Sequence, residues 1–305
     1  MADYNPTPSY PQPQRLTGAL SQFKYIESTP ALGREYMDLQ LSSILENDEM
    51  VRDLAITASE RGVLLFNDQN ITPFELKRLL VKLGKLTGNP PEAGLHRSAF
   101  PSQIHSHLDI PEVEDPDIFI ISSVTQKKSL ADALPTGGRK FASWGWHTDE
   151  SYEKYPPAYT GFKIAKSPPT GGDTLFVSSY GLYEHLSEPW QKFADGLTAT
   201  HSAKEFLRFM EKGMTLDGEL QRGHPENVGL EFRASQYASP LALYTNCSFN
   251  PADMRTVLRM ITDSSDLQTR KRWNDNGVAI WDKLRYWREA LLRPEFCLQG
   301  RVSSQ

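Results

Sequence analysis

The sequence has only two cysteines, Cys247 and Cys297, among its 305 residues. Two thiols are too few for a disulfide framework, and their spacing matches no cysteine-based metal site. The N-terminus lacks a charged start followed by an apolar stretch, so no secretory signal is predicted. Together these absences favour a reduced, cytoplasmic setting.

Long apolar runs and concentrated positive charge are also missing. No stretch approaches the roughly 20 apolar residues that a membrane-spanning helix needs. The net charge is −5 and no basic block is interleaved with aromatic residues, so neither a nucleic acid nor a membrane is predicted as a partner. A Gly-rich phosphate loop between a strand and a helix is absent, which argues against a nucleotide-binding fold. A Gly-x-Ser-x-Gly elbow, the nucleophile motif of α/β-hydrolases, is absent as well.

The composition is that of an ordinary globular protein, with 39% hydrophobic and 23% charged residues. A chain of this length can bury a sizeable core. Residues 1–15 differ from the rest because they carry four prolines among polar residues, which predicts an extended, disordered tail. A ligand for a proline-reading module is a less favoured interpretation of the same residues.

Residues 48–83 carry sequence patterns that predict individual helices and a strand. Apolar residues on one face of residues 48–60 predict an amphipathic helix, and residues 62–66 predict a buried strand. Thr72-Pro-Phe-Glu75 has the form of a capping box with Pro at the first helical position. The helix that it opens is predicted to bury Leu76, Leu79, Leu80 and Leu83.

The remaining elements predict a mostly β domain with flanking helices. Strands are expected at 117–124, 159–164, 197–201, 240–249 and 278–281, and helices at 180–186, 189–193 and 251–261. The aromatic residues of 180–186 and 189–193 are expected to pack in the core. Strands separated by turns, with helices at the front and in insertions, favour a double-stranded β-helix, or jelly roll.

The strongest chemical signal is the stretch Trp144-Gly-Trp-His-Thr-Asp-Glu150. His147 and Asp149 are two residues apart, so on an extended strand their side chains leave the same face. An imidazole and a carboxylate side by side are two of the three ligands of the 2-His-1-carboxylate triad that holds non-haem Fe(II). A bare His-x-Asp is also common in loops, where the Asp caps a turn, so the motif needs support from its surroundings.

That support comes from the order of the motifs that follow. After His-x-Asp come Tyr155-Pro-Pro157, a strand and Thr170-Gly-Gly-Asp-Thr174. This order, continued to Gly277-Val-Ala-Ile-Trp-Asp282, resembles the taurine dioxygenase-like (TauD/TfdA) family of Fe(II)/2-oxoglutarate-dependent dioxygenases over roughly residues 85–282. The resemblance implies that His147 and Asp149 are iron ligands and that Thr174 contacts a carboxylate of 2-oxoglutarate.

The same resemblance implies an activity and its partners. Enzymes of this family use Fe(II) and O2 to convert 2-oxoglutarate to succinate while they hydroxylate or oxidise a second substrate. Here that substrate is expected to be a small organic acid, sulfonate-like or a secondary metabolite. His96 and Asn246 are expected on the substrate side of the pocket by resemblance, although Asn246 can also serve to satisfy backbone groups at a strand end. Whether the chain forms a homo-oligomer stays open.

The other histidines are weaker candidates for metal ligands. His105 and His107 form a second close pair, but no carboxylate is placed to complete a metal site with them, and loop histidines are the favoured interpretation. His201 fits a strand face better than a ligand.

The sequence departs from the family after Asp282. The family requires a distal His a few residues beyond this strand and an Arg later still, whose planar fork binds the distal carboxylate of 2-oxoglutarate. No His occurs after His224. Residues 283–305 predict instead a basic amphipathic helix ended by Pro294, so the chain is divided into a tail (1–15), a dioxygenase-like domain (16–282) and a divergent C-terminal segment (283–305).

Two explanations of this departure stay open. The chain is either a truncated, alternatively spliced or wrongly assembled product, with a jelly roll incomplete at its C-terminus, or a natural variant with a different third ligand or none. His201 and His224 are conceivable but unsupported substitutes for the distal His. The arginines that offer a guanidinium without an assigned role are Arg285, Arg288, Arg293 and Arg301.

Two rival functions follow. A protein without the distal His can keep the fold and bind a small acid or a partner without turnover. A cupin-like metal-dependent isomerase or hydrolase is a weaker alternative. Release of succinate that depends on 2-oxoglutarate under air separates the dioxygenase from both.

Overall fold

The computed structural model describes residues 14–88, 94–96, 115, 117–120, 146, 157–195 and 259–283, and the backbone of 297–301. The strands of this part of the chain are β1 (Tyr25–Glu27), β2 (Arg34–Tyr36), β3 (Val63–Phe66), β4 (Tyr159–Lys163), β5 (Thr174–Ser178), β6 (Gln268–Lys271), β7 (Val278–Asp282) and β8 (Cys297–Arg301). Its helices are α1 (Leu41–Ile44), α2 (Asp48–Arg61), α3 (Pro73–Lys85), α4 (Ser179–Glu184) and α5 (Glu188–Asp195).

The first sheet has five strands in the order β1-β2-β3-β7-β4. Only the β2–β3 pair among them is parallel, and the other three pairs are antiparallel. Strands β3 and β7 are buried along their whole length, in keeping with the apolar sequences Val-Leu-Leu-Phe and Val-Ala-Ile-Trp-Asp. Ile280 of β7 stands opposite Leu64 of β3 on one side and Gly161 of β4 on the other.

Helices α2 and α3 cover one face of this sheet. Asn47 caps α2 by accepting the amide hydrogens of Glu49 and Met50, and the helix ends at Gly62, whose φ of 69° suits a glycine. Thr72 and Glu75 form the predicted capping box at the start of α3. The buried residues of α3 are Leu76, Leu79 and Leu83, whereas Leu80 is only partly buried at the edge of the same cluster.

The second sheet has three antiparallel strands in the order β6-β5-β8. Its middle strand, β5, sends alternate side chains to opposite faces. Phe176 packs towards the first sheet, in a cluster with Leu65 of β3 and Trp281 of β7. Val177 packs the other way, with Trp146 and with Leu182 of α4. The space between the two sheets is therefore lined by one face of β5.

Most predicted elements of the described segments are present, with small shifts at their ends. Helix α2 and strands β3 and β7 lie where the sequence pattern places them. Residues 259–263 are helical, as expected for the end of the 251–261 helix. The predictions for 197–201, 240–249 and the helix after Lys283 fall outside the described residues, as does the predicted tail up to residue 13.

Two expectations are wrong. Residues 117–120 are not in a strand. The aromatic residues of α5 do not pack in the core, because Trp190 and Phe193 are 59% and 53% exposed. Their rings instead contact each other edge to face on the surface, at 5.5 Å between centroids. Strand β8, in the segment that departs from the family, was not expected from the sequence.

Of the helices described, none combines the length and the apolar character required to cross a bilayer.

Candidate functional site

The described residues include one of the three residues predicted to hold iron and 2-oxoglutarate. Thr174 is the first residue of β5 and is 2% exposed. His147, Asp149 and Asn246 lie outside the described residues, as do His105, His107, His201 and His224. His96 is described and half-buried. The structure thus bears on the co-substrate side of the predicted site.

The turn before β5 holds Thr174 in place. Gly171 and Gly172 have φ values of 79° and 74°, in the left-handed region that glycine adopts without strain. Asp173, 5% exposed, accepts a charge-assisted hydrogen bond of 2.6 Å from Nε of Arg270. Two glycines and an anchored carboxylate therefore fix the point at which the strand begins.

The hydroxyl of Thr174 has a partner that sequence reasoning did not identify. Nε1 of Trp273 donates a hydrogen bond of 2.9 Å to Oγ1 of Thr174. Trp273 is itself 7% exposed, and its ring meets that of Phe162 edge to face at 5.4 Å between centroids. Arg272-Trp273 occurs among the residues that match the family, but no sequence signal ties this indole to a threonine 99 positions away.

A charged group lies beside Thr174 on the neighbouring strand. Lys271 of β6 stands opposite Thr174 in the register, so both side chains leave the same face of the sheet. Nζ of Lys271, a nearly buried ammonium, is 2.6 Å from Oε1 of Glu35 and 2.7 Å from Oδ1 of Asn67. The amide of Asn67 donates to the same Glu35 oxygen, so the three side chains form a closed network.

This network shifts the ionisation of Glu35. Burial acts to raise the pKa of the Glu35 carboxyl, but the hydrogen bond and the charge of Lys271, with the Asn67 amide, outweigh burial and lower the pKa below its ordinary value of 4.5. Glu35 is therefore ionised at neutral pH and neutralises the ammonium that faces the same interior as Thr174.

Trp146 is the described residue nearest in sequence to the predicted iron ligands. It is 4% exposed and packs with Val177, Leu182, Ile261 and Leu267, on the face of β5 opposite that of Thr174. The residue immediately before His147 is thereby held against the strand that Thr174 begins.

The described residues do not complete the predicted metal site. Within them, no group of three His, Cys, Asp or Glu side chains is placed to hold a metal ion. His185, one of the described histidines, lies at the surface with Nε2 3.8 Å from Oδ2 of Asp266. The prediction for iron therefore depends on His147 and Asp149 and on a third ligand.

An open cleft of about 580 Å³ lies on the surface beside Trp273. Its lining residues are Asn67, Asp68, Ser167, Pro168, Pro169, Arg272, Trp273, Asn274 and Asp275. Asp275 is already committed, because Lys166 and Ser167 hydrogen-bond to its carboxylate and lower its pKa to about 2. Asp275 is therefore occupied as a loop anchor, and Asp68, the other acid of the lining, accepts a hydrogen bond of 3.1 Å from the Asn274 amide.

Comparison with known proteins finds a family model and several relatives that agree with one another. The family model described as "Taurine catabolism dioxygenase TauD, TfdA family" matches residues 24–287. The alpha-ketoglutarate-dependent dioxygenase oryG of Aspergillus oryzae is 34% identical over 298 residues, which cover 90% of this chain and 84% of that protein. The alpha-ketoglutarate-dependent dioxygenase btcD of Neocamarosporium betae is 35% identical, with 89% and 86% covered. Alpha-ketoglutarate is another name for 2-oxoglutarate.

More distant relatives include a sulfonate enzyme and solved structures. The alpha-ketoglutarate-dependent sulfonate dioxygenase of Saccharomyces cerevisiae is 28% identical over 90% of this chain and 64% of its own length. A taurine dioxygenase from Burkholderia xenovorans superposes with a TM-score of 0.53 at 17% identity, covering 92% of this chain and 90% of that chain. At that identity the superposition shows a shared fold.

Proposed function

The chain belongs to the taurine catabolism dioxygenase TauD, TfdA family, and from this premise we propose that it is an Fe(II)/2-oxoglutarate-dependent dioxygenase acting on a small organic acid. The reaction would couple the conversion of 2-oxoglutarate and O2 to succinate and CO2 with oxidation of the acid. The sequence-based identification of the family and of its enzyme class is confirmed by the match and by relatives of that name.

The observation that supports the proposal most is the burial and hydrogen bonding of the Thr174 hydroxyl. It is buried at the head of β5 on the face between the two sheets, held by a rigid turn and by Trp273. We assign it to the distal carboxylate of 2-oxoglutarate, the one not needed for the metal. A buried hydroxyl that can donate a hydrogen bond suits a carboxylate, which accepts at both oxygens.

His147 and Asp149 would supply two iron ligands. The support is the motif order shared with the family and the position of Trp146, the residue before His147, which packs against Val177 of β5. Bound iron would supply the oxidative chemistry, while the chain would hold the acid and exclude water. Because the sequence provides no His after His224, the third ligand is unassigned.

The remaining expectations belong to the same proposal. The two sheets are proposed as the layers of a jelly roll in a domain of residues 16–282, between the tail 1–15 and the divergent segment 283–305. His96 and Asn246 would face the oxidised acid. The sulfonate dioxygenase among the relatives supports an acidic substrate class. A cytoplasmic setting, without nucleic acid or membrane partners, completes the proposal.

The test is metal and co-substrate binding followed by turnover. Titration of the purified full-length protein with Fe(II) under argon is expected to give saturable binding that a His147→Ala, Asp149→Ala double variant loses. A His185→Ala variant, altered at a surface histidine, is the matched control and should bind as the unaltered protein does. Equal Fe(II) binding by all three proteins would overturn the metal assignment. Under air, release of succinate that depends on 2-oxoglutarate then measures activity.

The arginine for the distal carboxylate can be sought in the same binding assay. Arg301 stands opposite Thr174 in the β5–β8 register, whereas Arg285, Arg288 and Arg293 lie outside the described residues. Arg301→Gln is therefore the first of the four substitutions to measure.

A second candidate function is favoured by the departure after Asp282. Metal sites depend on ligand count, so iron held by two protein ligands is expected to bind more weakly than in a complete triad. A protein of this fold that binds a small dicarboxylate without turnover would retain 2-oxoglutarate binding and its dependence on Thr174. It would release no succinate under air, and this outcome separates it from the dioxygenase.

A further inference from the structure

We propose that Trp273 is a positioning residue that makes the Thr174 hydroxyl a hydrogen-bond donor and thereby selects a carboxylate ligand at this position. The inference rests on the proposed function, because it concerns the same contact between Thr174 and the co-substrate. It adds a residue with no role of its own in the sequence-based assignment of the site.

The argument begins with the chemistry of the two groups. An indole N–H donates and has no acceptor, so in the 2.9 Å contact Oγ1 of Thr174 is the acceptor. Within the described part of the chain the hydroxyl makes this one hydrogen bond. Its own hydrogen rotates about the Cβ–Oγ1 bond, and it is directed away from the indole because the indole occupies a lone pair.

The indole cannot readily turn away from this contact. Trp273 is the second residue after the end of β6, and its ring is packed between Phe162 and the apolar cluster that includes Val63 and Phe176. A buried ring in a packed cluster keeps one rotamer on average. The N–H therefore points at a fixed place, and the order indole N–H, hydroxyl, ligand oxygen is set before the ligand arrives.

Two consequences for binding follow. A hydroxyl that accepts from one group donates more strongly to the next, because hydrogen bonds in a chain polarise one another. Without the indole, the threonine hydroxyl is free to donate to a nearby backbone carbonyl, a common local alternative for Ser and Thr. Trp273 thus favours ligands that present an acceptor to Thr174, such as the distal carboxylate of 2-oxoglutarate.

The test is a double-mutant cycle read by calorimetry. 2-Oxoglutarate is titrated, in the absence of air and with Mn(II) as the metal, into the unaltered protein and into Trp273→Phe, Thr174→Val and the double variant. Loss of one well-placed hydrogen bond corresponds to roughly a tenfold rise in Kd. Trp273→Phe is expected to show about this rise, and no further rise is expected in the Thr174→Val background. Independent effects of the two substitutions would overturn the inference.

A second ligand and a conservative variant exclude a merely structural role. 2-Oxopentanoate has the same 2-oxo acid end but lacks the distal carboxylate, so its Kd should not change in Trp273→Phe. Thr174→Ser keeps the hydroxyl, and in that background the effect of Trp273→Phe should return. Equal weakening of both ligands by Trp273→Phe would show that the ring acts through packing alone and would overturn the inference.

The result also separates this inference from the proposed function. If the unaltered protein binds 2-oxoglutarate but Trp273→Phe binds it equally well, the positioning role is wrong and the co-substrate assignment stands. If the unaltered protein does not bind 2-oxoglutarate at all, both are wrong.

Discussion

The two interior layers of this protein are filled in different ways. Between α2, α3 and the first sheet, the buried side chains are mainly leucine, isoleucine, valine and alanine, with a few aromatic rings. Between the two sheets, the apolar cluster around Phe176 and Trp281 is bordered by the hydroxyl of Thr174 and by the network of Lys271, Glu35 and Asn67. Apolar packing needs only shape, whereas buried polar groups need specific partners. The first layer therefore depends on shape alone, whereas the second also depends on oriented polar groups that hold one another in place.

The largest expected effect lies in the apolar layer. Leu79 of α3 is completely buried, so Leu79→Ala would leave a cavity and is expected to lower the free energy of unfolding by roughly 2–5 kcal/mol. Val81→Ala, on the same helix at a position 36% exposed, should change it by only about 0.5 kcal/mol. Urea unfolding followed by circular dichroism measures both. Similar losses at the two positions would contradict the distinction between a filled layer and the surface.

The next effect lies in the charged network between the sheets. Glu35→Gln keeps the shape but leaves the nearly buried ammonium of Lys271 without its counter-charge, at a cost of about 2 kcal/mol at neutral pH. Glu188→Gln breaks an exposed i,i+4 pair with Lys192 and should cost at most about 0.5 kcal/mol. The free energies of unfolding in urea give both values.

The cost of Glu35→Gln should depend on pH with a defined sign. Because the pKa of Glu35 is lowered in the folded protein, its contribution is complete above the ordinary value of 4.5 and is lost as the pH falls through the folded value. The difference in unfolding free energy between the unaltered protein and Glu35→Gln should therefore begin to shrink as the pH falls below about 4.5. A difference that stays constant into acid would show that the charge of Glu35 does not contribute.

A smaller effect is expected at Thr174. Thr174→Val keeps the volume but removes the acceptor of the buried Trp273 N–H, which should lower the free energy of unfolding by about 1–2 kcal/mol. Thr269→Val is the matched substitution on β6, where the hydroxyl has no hydrogen bond within the described residues. It should cost less. Equal losses would mean that the Trp273 contact adds nothing to stability.

The smallest effect is expected at the N-terminus of α3, at the edge of the apolar layer. Thr72→Ala removes the hydroxyl that accepts the Glu75 amide hydrogen in the capping box of α3, and it should cost about 1 kcal/mol. Glu75→Gln retains an acceptor for the Thr72 amide hydrogen and should cost less. Thermal unfolding of the two variants compares them, and a larger loss for Glu75→Gln would contradict this account of the cap.

Sequence patterns predict the apolar layer well because its signals are local. The capping box, the leucine spacing of α3 and the run of β3 lie within a few positions of one another, and each was found. The polar contacts of the second layer join residues far apart, such as Lys271 and Glu35 at a separation of 236, and no local pattern encodes them. Helix α5 marks an intermediate case: its amphipathic spacing predicts a helix but not whether Trp190 and Phe193 meet a neighbour.

The candidate site divides in the same way. The family motif identified Thr174, and its turn and strand are where the motif order predicts. The contact of Trp273 was missed because its hydrogen bond to Thr174 joins residues 99 positions apart. His147, Asp149, His96 and Asn246 stay predictions, to be decided by the binding experiments.

The position of β7 has a consequence for how the chain is made. This strand lies between β3 and β4, yet it is the last of the three to leave the ribosome. Until residue 282 has emerged, both neighbours present unpaired backbone groups, and strands that pair across a large sequence separation form slowly. The edges of β3 and β4 that face this position are therefore expected to need protection from aggregation until β7 has been synthesised and has paired with both.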